Sequence, residues 1–156
     1  MEIRQASSDD AVAIVDELWM PFAKEMAKLD EYNVLASDIR ADAIKHREEK
    51  LSQANYCAQL AIEDDAFVGF TTGEVQPSAP VFERGATLAI SEAYVRPEWR
   101  QQGIASSLLE ALEMWADERG YETASLSVNA DNHAAKALYE CLGFEAKCLQ
   151  MVKTSD

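Results

Sequence analysis

The hydrophobic period of the chain changes twice, and those changes confine it to a small set of architectures. Up to residue 51 the apolar residues recur every three or four positions. Ala11, Ile14, Val15, Leu18 and Trp19 form one helical stripe, and Ile39, Ala43, Ile44 and Leu51 form a second. From Tyr56 the period becomes that of strands. Tyr56 to Ile62 and Ala66 to Val75, joined by Glu63-Asp64-Asp65, predict a hairpin whose second strand is loosened by Gly69 and Gly73; Ala86 to Val95 predicts a third strand. After the polar loop Arg96 to Gln102, helix and strand patterns alternate. They predict a helix over Ile104 to Arg119, carrying Leu108, Leu109, Leu112 and Trp115 and closed by Gly120, then a strand over Tyr121 to Val128. A helix from Asn132 to Leu142, stopped by Gly143, and a strand over Phe144 to Lys153 complete the series. With a short strand at Glu2 to Gln5 in front, the order is βααβββαβαβ, an α/β or α+β arrangement of helices on a central sheet.

Local signals refine these elements. Ser7-Ser8-Asp9-Asp10 offers N-caps for the first helix, and Pro21 is expected to end or kink it. The second helix is expected from near Ser37 to Leu51, with Arg40, Lys45, Glu48 and Glu49 as its solvated face. The only linker-like stretch, Gln76-Pro77-Ser78-Ala79-Pro80, is too short to separate two domains, so residues 1–156 read as one domain.

Composition then excludes whole classes of function. The 156 residues are 48% hydrophobic, enough for a core of their own and against intrinsic disorder. The formal net charge of −14 is spread along the chain, which argues against nucleic-acid binding and against a polybasic membrane anchor. The excess of acids is compatible with a high-salt cytoplasm, but an ordinary soluble acidic enzyme is the preferred reading. Met1-Glu2-Ile3-Arg4 does not open a secretion signal and no apolar run is long enough to span a membrane, so a soluble, cytoplasmic protein is expected. Cys57, Cys141 and Cys148 match neither a zinc ribbon nor a redox pair and are expected to be reduced and mostly buried. His46 and His133 lack metal-ligand spacing, so no metal is expected.

The most informative segment joins the third hairpin-region strand to the long helix: Val95-Arg96-Pro97-Glu98-Trp99-Arg100-Gln101-Gln102-Gly103-Ile104-Ala105. A strand-to-helix junction presents unpaired N–H groups and the positive end of the helix dipole, which suit an anion. From Trp99 to Leu109 there is no carboxylate, although the chain holds 28 Asp and Glu. The loop has no lysine for a P-loop, and Gly103 is its only glycine, which excludes the dinucleotide fingerprint. On these residues alone an anion cradle and an ordinary capped turn stand level.

Two spaced signatures tip the balance. Val95-x-Pro97-x-x-Arg100-x-x-Gly103-Ile104-Ala105, followed by Asn132-x-x-Ala135-x-x-Leu138-Tyr139-x-x-x-Gly143-Phe144, resembles the GCN5-related N-acetyltransferase (GNAT) family, most strongly over residues 86 to 145. The resemblance implies a single-domain, mixed, mostly antiparallel sheet with a splayed parallel strand pair, flanked by about four helices. It implies that acetyl-CoA is the co-substrate, its pyrophosphate held by the loop of Arg100, Gln101, Gln102, Gly103, Ile104, Ala105 and Ser106. Its pantetheine arm would lie between Ala93, Tyr94 and Val95 on one strand and Ser125 to Val128 on the next, with Asn132 as a further contact.

The chemistry implied is acetyl transfer to a primary amine by direct attack in a ternary complex. A backbone N–H near Tyr94 or Val95 would stabilise the oxyanion, and Tyr139 matches the tyrosine that protonates the departing thiolate. As a bare residue Tyr139 reads as a core aromatic, and Asn132 as an N-cap. Glu92 is the first choice for the base, because strand alternation would put its charge on the same face as Leu88, Ile90 and Tyr94. Glu74 is the reserve, and a water chain without a dedicated base is the third option; an exposed sheet residue is the plain reading of Glu92. Cys141 is expected to be a buried thiol, and Trp99 either covers the cofactor or packs on the following helix. The acceptor, a small amine, amino acid, aminoglycoside-like compound or peptide amine, would sit between the first two helices and the far end of the slot, drawn by Asp30, Glu31 and Asp38. A non-catalytic acyl-CoA sensor is the alternative. The resemblance allows a homodimer through sheet edges or the C-terminal strand.

Overall fold

The computed structural model describes residues Met1 to Ser155. Five strands form one sheet in chain order: β1 (Glu2–Gln5), β2 (Tyr56–Glu63), β3 (Ala66–Gln76), β4 (Thr87–Val95) and β5 (Thr123–Leu126). The first four pair antiparallel, and β4 pairs parallel to β5. Helix α1 runs over residues 11–29, α2 over Arg40–Leu51, α3 over Ile104–Asp117 and α4 over His133–Cys141.

Helix α1 does not end at Pro21. Its first turn, Ala11–Ile14, widens into a π turn over Val15–Trp19 and returns to α geometry over Met20–Leu29. A proline in a helix lacks the N–H that would bond the carbonyl four residues back, and a π turn just before it takes the ladder out of step at that point. The apolar stripe survives the change, since Ile14, Val15 and Leu18 are fully buried.

The sheet has two covered faces. On one, Ile14 and Leu18 of α1 meet Tyr56, Ala58, Leu60, Phe70 and Tyr94. On the other, Leu109, Leu112 and Trp115 of α3 meet Cys57, Leu88 and Ile90, and Leu108 joins Ala61, Val68 and Val95 nearby. Burying a Leu or Phe side chain of this kind stabilises by about 1.5–3 kcal/mol, so these clusters hold the helices to the sheet. Helices α2 and α4 are held at the edge of these clusters: the only fully buried residue of α2 is Arg47 and α4 has none, and Leu51 and Tyr139 pack partly buried.

One extra residue in β4 shapes everything beyond it. The β3–β4 register steps from Gly73 opposite Ile90 to Thr72 opposite Glu92, leaving Ser91 bulged. Because side chains alternate, the insertion moves every later residue to the other face. Leu88 and Ile90 point to α3, whereas Tyr94 packs with the α1 cluster and Glu92 meets α2. The expectation that Glu92 shares a face with Leu88 and Ile90 is therefore wrong; it shares one with Tyr94 alone.

The bulge also ends the parallel ladder, whose last pair is Ile90 with Leu126. Past it, β4 stays on β3 as far as Val95 opposite Gly69, while β5 has ended. The two parallel strands thus part like a fork whose crotch lies at Ile90 and Leu126. Ser125 pairs with Ala89 inside the ladder, so the β5 side of the opening starts at Ser127 rather than at Ser125.

The predicted closing strand is absent: among the described residues none after Leu126 is in a strand, and Leu149, Met151 and Val152 are exposed. The sequence of this stretch sets apolar residues side by side, at Cys148-Leu149 and Met151-Val152, and so lacks the strict alternation of a one-sided strand.

Candidate active site

The fork opens next to the N-terminus of α3. Pro97–Trp99 forms a single 3₁₀ turn, after which Gln101 and Gly103 take positive φ, 62° and 79°. Gly103 caps α3, and its carbonyl accepts from Ser107 N–H at 3.1 Å. The first-turn N–H groups, from Ile104 to Ser106, have no carbonyl of their own helix to bond, and they carry the positive end of the dipole. A Cβ built on Gly103 meets no atom within 4 Å, so the mouth of the helix is open. Free N–H groups and the positive end of a helix dipole are the features that a bound anion requires.

Arg100 does not point toward those N–H groups. Its Nε donates to Val95 O at 2.8 Å, one terminal nitrogen donates to both carboxylate oxygens of Glu25 on α1 at 2.9 and 3.0 Å, and the guanidinium lies 5.5 Å from the centre of the Tyr94 ring. It ties the loop to the end of β4 and to α1. Trp99 packs, partly buried, against the Val95, Ile104 and Leu108 cluster.

Tyr139 approaches from the opposite side of the sheet to Glu92. It packs on the cluster that holds Ile90 and lies edge-on to Phe144, ring centres 5.9 Å apart. Burial pushes its phenol above the ordinary value, which keeps it protonated and able to donate. Asn132 caps α4, its Oδ1 accepting from Ala135 N–H at 3.2 Å, so its side chain carries the structural role that its position suggested.

Both candidate bases are held by α2. Arg47 donates to Glu92 through both terminal nitrogens, at 2.7 and 3.0 Å, and to the Tyr56 hydroxyl at 2.7 Å; Thr72 donates to the same carboxylate at 2.8 Å. Lys50 donates to Glu74 at 2.6 Å. Burial alone would lower the Arg47 guanidinium, but the Glu92 hydrogen bonds and charge outweigh it, and it lies above its ordinary value. Arg47 and Lys50 were missed in the sequence, although Arg47 falls four residues after Ala43 and four before Leu51, on the stripe that faces the sheet.

At the far end of α1, Asp30 Oδ2 accepts from Asn129 Nδ2 at 2.9 Å, which joins the helix to the loop after β5. The Tyr32 N–H and then Asn129 hold the Asp30 carboxyl below the usual carboxylate range. Asp30 is thus engaged, while Glu31 and Asp38 are exposed. A surface groove of about 530 Å³ lies between α1 and the segment before α2, but Lys24 and Lys28 line it, and they do not favour a cationic amine.

The thiols depart from expectation. Cys57 is buried, and burial pushes its thiol up to about 11, but Cys141 and Cys148 are exposed. Cys141 is the last residue of α4, off the Tyr139 side that packs on the core, and Cys148 lies in the unpaired C-terminal segment.

With this geometry, known proteins can be set beside the chain. Residues 13–144 match the family model described as the acetyltransferase (GNAT) family. An uncharacterized N-acetyltransferase of Archaeoglobus fulgidus is 30% identical over 139 residues, which cover 89% of each chain. The fold resembles that of a tetramutant of BH1408 protein from Bacillus halodurans, with a TM-score of 0.85 and 18% identity over 99% of this chain and 100% of that one. It also resembles that of the aminoglycoside N-acetyltransferase AAC(6')-Iy in complex with CoA, with a TM-score of 0.71 and 19% identity over 99% of both chains.

Proposed function

The chain belongs to the acetyltransferase (GNAT) family, and from that premise we propose that it moves the acetyl group of acetyl-CoA to a primary amine by direct attack in a ternary complex. The observation that carries the reading is the fork itself: two parallel strands part at the Ser91 bulge, next to a carboxylate-free loop that opens a helix. Acetyl-CoA supplies an acetyl group already activated as a thioester. The backbone N–H groups of residues 101–106 hold its pyrophosphate, with the α3 dipole behind them. Arg100 acts by shaping that loop rather than by contact, since Glu25 neutralises it.

The pantetheine arm lies in the opening, along Ala93, Tyr94 and Val95 and opposite Ser127 and Val128. A backbone N–H at Tyr94 or Val95 stabilises the carbonyl oxygen as it gains charge. The amine nitrogen bonds the acetyl carbon while the carbon–sulfur bond breaks; the Tyr139 hydroxyl gives its proton to the leaving sulfur and is reprotonated from solvent. The amine's own proton leaves through water, because Glu92 and Glu74 are both engaged by α2. The acceptor comes from the α1 and α2 face while Tyr139 works from the α3 face, so nucleophile and acid do not compete for space.

A cationic acceptor suits a surface with a net charge of −14, and the aminoglycoside enzyme of like fold supports a small polyamine as the first class to try. Mass-detected acetylation across a panel of aminoglycosides, polyamines, amino acids and peptide N-termini tests the reading. Acetylation of one class is expected. Saturable acetyl-CoA binding without turnover on any amine would favour the acyl-CoA sensor instead.

A further inference from the structure

We infer that Arg47 and Glu92 form a register pin: the buried ion pair fixes the Ser91 bulge, and through it the fork, so that Glu92 is a positioning residue and not the base. The inference rests on the proposed use of the fork by acetyl-CoA for its functional consequence, but its structural part stands apart from activity.

The argument starts from where the Glu92 side chain would lie without the bulge. An unbroken β4 would carry residue 92 on the same face as Leu88 and Ile90. That face is lined by Leu109, Leu112 and Trp115, and a carboxylate there would be buried without a partner. The opposite face offers what the charge needs. The Arg47 side chain is 6% exposed and meets both Glu92 oxygens; the Thr72 hydroxyl donates to one of them, and the Thr71 hydroxyl fixes the Glu92 carbonyl at 2.8 Å. Strand register is specified wherever a slip would move a charge into the core, and a buried polar pair that selects one register is a well-attested use of such pairs. Here the selected register contains one residue too many. That residue, Ser91, separates the ladder shared with β5 from the stretch of β4 that is free of it.

Helix α2 is held the same way. Its one fully buried residue is Arg47, and beside the partly buried Leu51 at its C-terminal end its attachment to β4 and β3 runs through Arg47 to Glu92 and Lys50 to Glu74. The same pair that sets the fork therefore also sets the helix beside which the acceptor is proposed to enter.

The test is a cycle of Arg47→Met, Glu92→Met and the double variant, with Glu92→Gln as a separate probe of base chemistry. The double variant removes both charges together, so it keeps its fold even where a single variant does not. Its β3–β4 register, read from interstrand NOEs, is expected to lose the pairing of position 92 with Thr72 and the Ser91 bulge, and its acetyl-CoA affinity by calorimetry is expected to fall about tenfold or more. The loss in the double variant is expected to match that in each folded single variant rather than their product. In Glu92→Gln the acidic limb of the pH profile of kcat/KM is expected to stay where it is in the wild type. A double variant that keeps the bulge overturns the pin. A Glu92→Gln variant that binds acetyl-CoA normally, loses kcat and loses the acidic limb shows that Glu92 is the base. If the wild type binds no acetyl-CoA, the proposed function fails, while the NOE register still decides whether the pair sets the bulge.

Discussion

Replacing Gly103 by alanine separates backbone strain from ligand binding, because the chain supplies its own control. Gly103 has φ 79° and Gly120, beyond the other end of α3, has φ 71°; a Cβ at either meets nothing within 4 Å. Neither substitution causes a clash, so each costs only the strain of an L-residue in the left-handed region, about 1–2 kcal/mol. At about 2–4 °C per kcal/mol for a chain of this size, each is expected to lower Tm by about 2–8 °C, and by a similar amount in the two variants. Urea unfolding measures that term. The two should then part on titration with acetyl-CoA. Only Gly103 stands at the mouth of the helix, where relief of the strain tilts first-turn N–H groups away from the anion. A hydrogen bond to a charged group contributes about 1.5–3 kcal/mol, so one such bond lost weakens binding about tenfold or more. Gly120→Ala is expected to bind as the wild type does. Equal affinity in both variants would refute the assignment of the α3 N-terminus as the anion site, and so would an equal loss in both, which would trace to destabilisation alone.

Tyr139→Phe is expected to lower kcat by about a hundredfold or more with little change in acetyl-CoA affinity, as measured by steady-state kinetics beside calorimetry. Because burial raises the Tyr139 phenol, its loss of the proton limits the wild-type rate only above the ordinary tyrosine range, and a limb that Tyr139→Phe removes near neutral pH would contradict this. In the native protein two thiols, Cys141 and Cys148, are expected to react with an aromatic disulfide reagent, and Cys57 only after unfolding; three fast thiols would show that the sheet interior is open. Asp10 is held below the ordinary carboxylate value first by hydrogen bonds from Arg4. Its stabilisation is thus present above about pH 4, the unfolded value, and lost as the pH falls through the folded one. Asp10→Asn is expected to be less stable than the wild type near neutrality and equally stable in strong acid by urea unfolding; a constant difference across that range would remove the linkage.

Much of the fold was legible because it depends on repeated signals. The stripe of Ile14, Val15 and Leu18, the β2–β3 hairpin and the apolar face of α3 each involve several residues that agree, and the loop and Tyr139 lie in spaced motifs. What was not legible depends on single residues. One bulged serine reverses the face of Glu92, and no propensity marks Ser91 as the extra residue. Arg47 was invisible as a site residue because a charge on an apolar stripe reads as an exception until Glu92 is seen opposite. The expected strand over Phe144 to Lys153 does not form, and adjacent apolar pairs such as Met151-Val152 do not sort onto one face. The π turn before Pro21 lies between these cases: the proline announces an interruption, and the tertiary packing of Leu18 decides that the helix survives it.

The central claim is that acetyl-CoA occupies the β4–β5 fork against the N-terminus of α3. The most direct measurement is an amide NMR titration of the wild-type chain with CoA. The account predicts saturable shifts concentrated at residues 92–95, 101–106 and 127–129, with the groove around Met20, Lys24 and Leu35 unmoved. Shifts centred on that groove, with residues 101–106 silent, would contradict it.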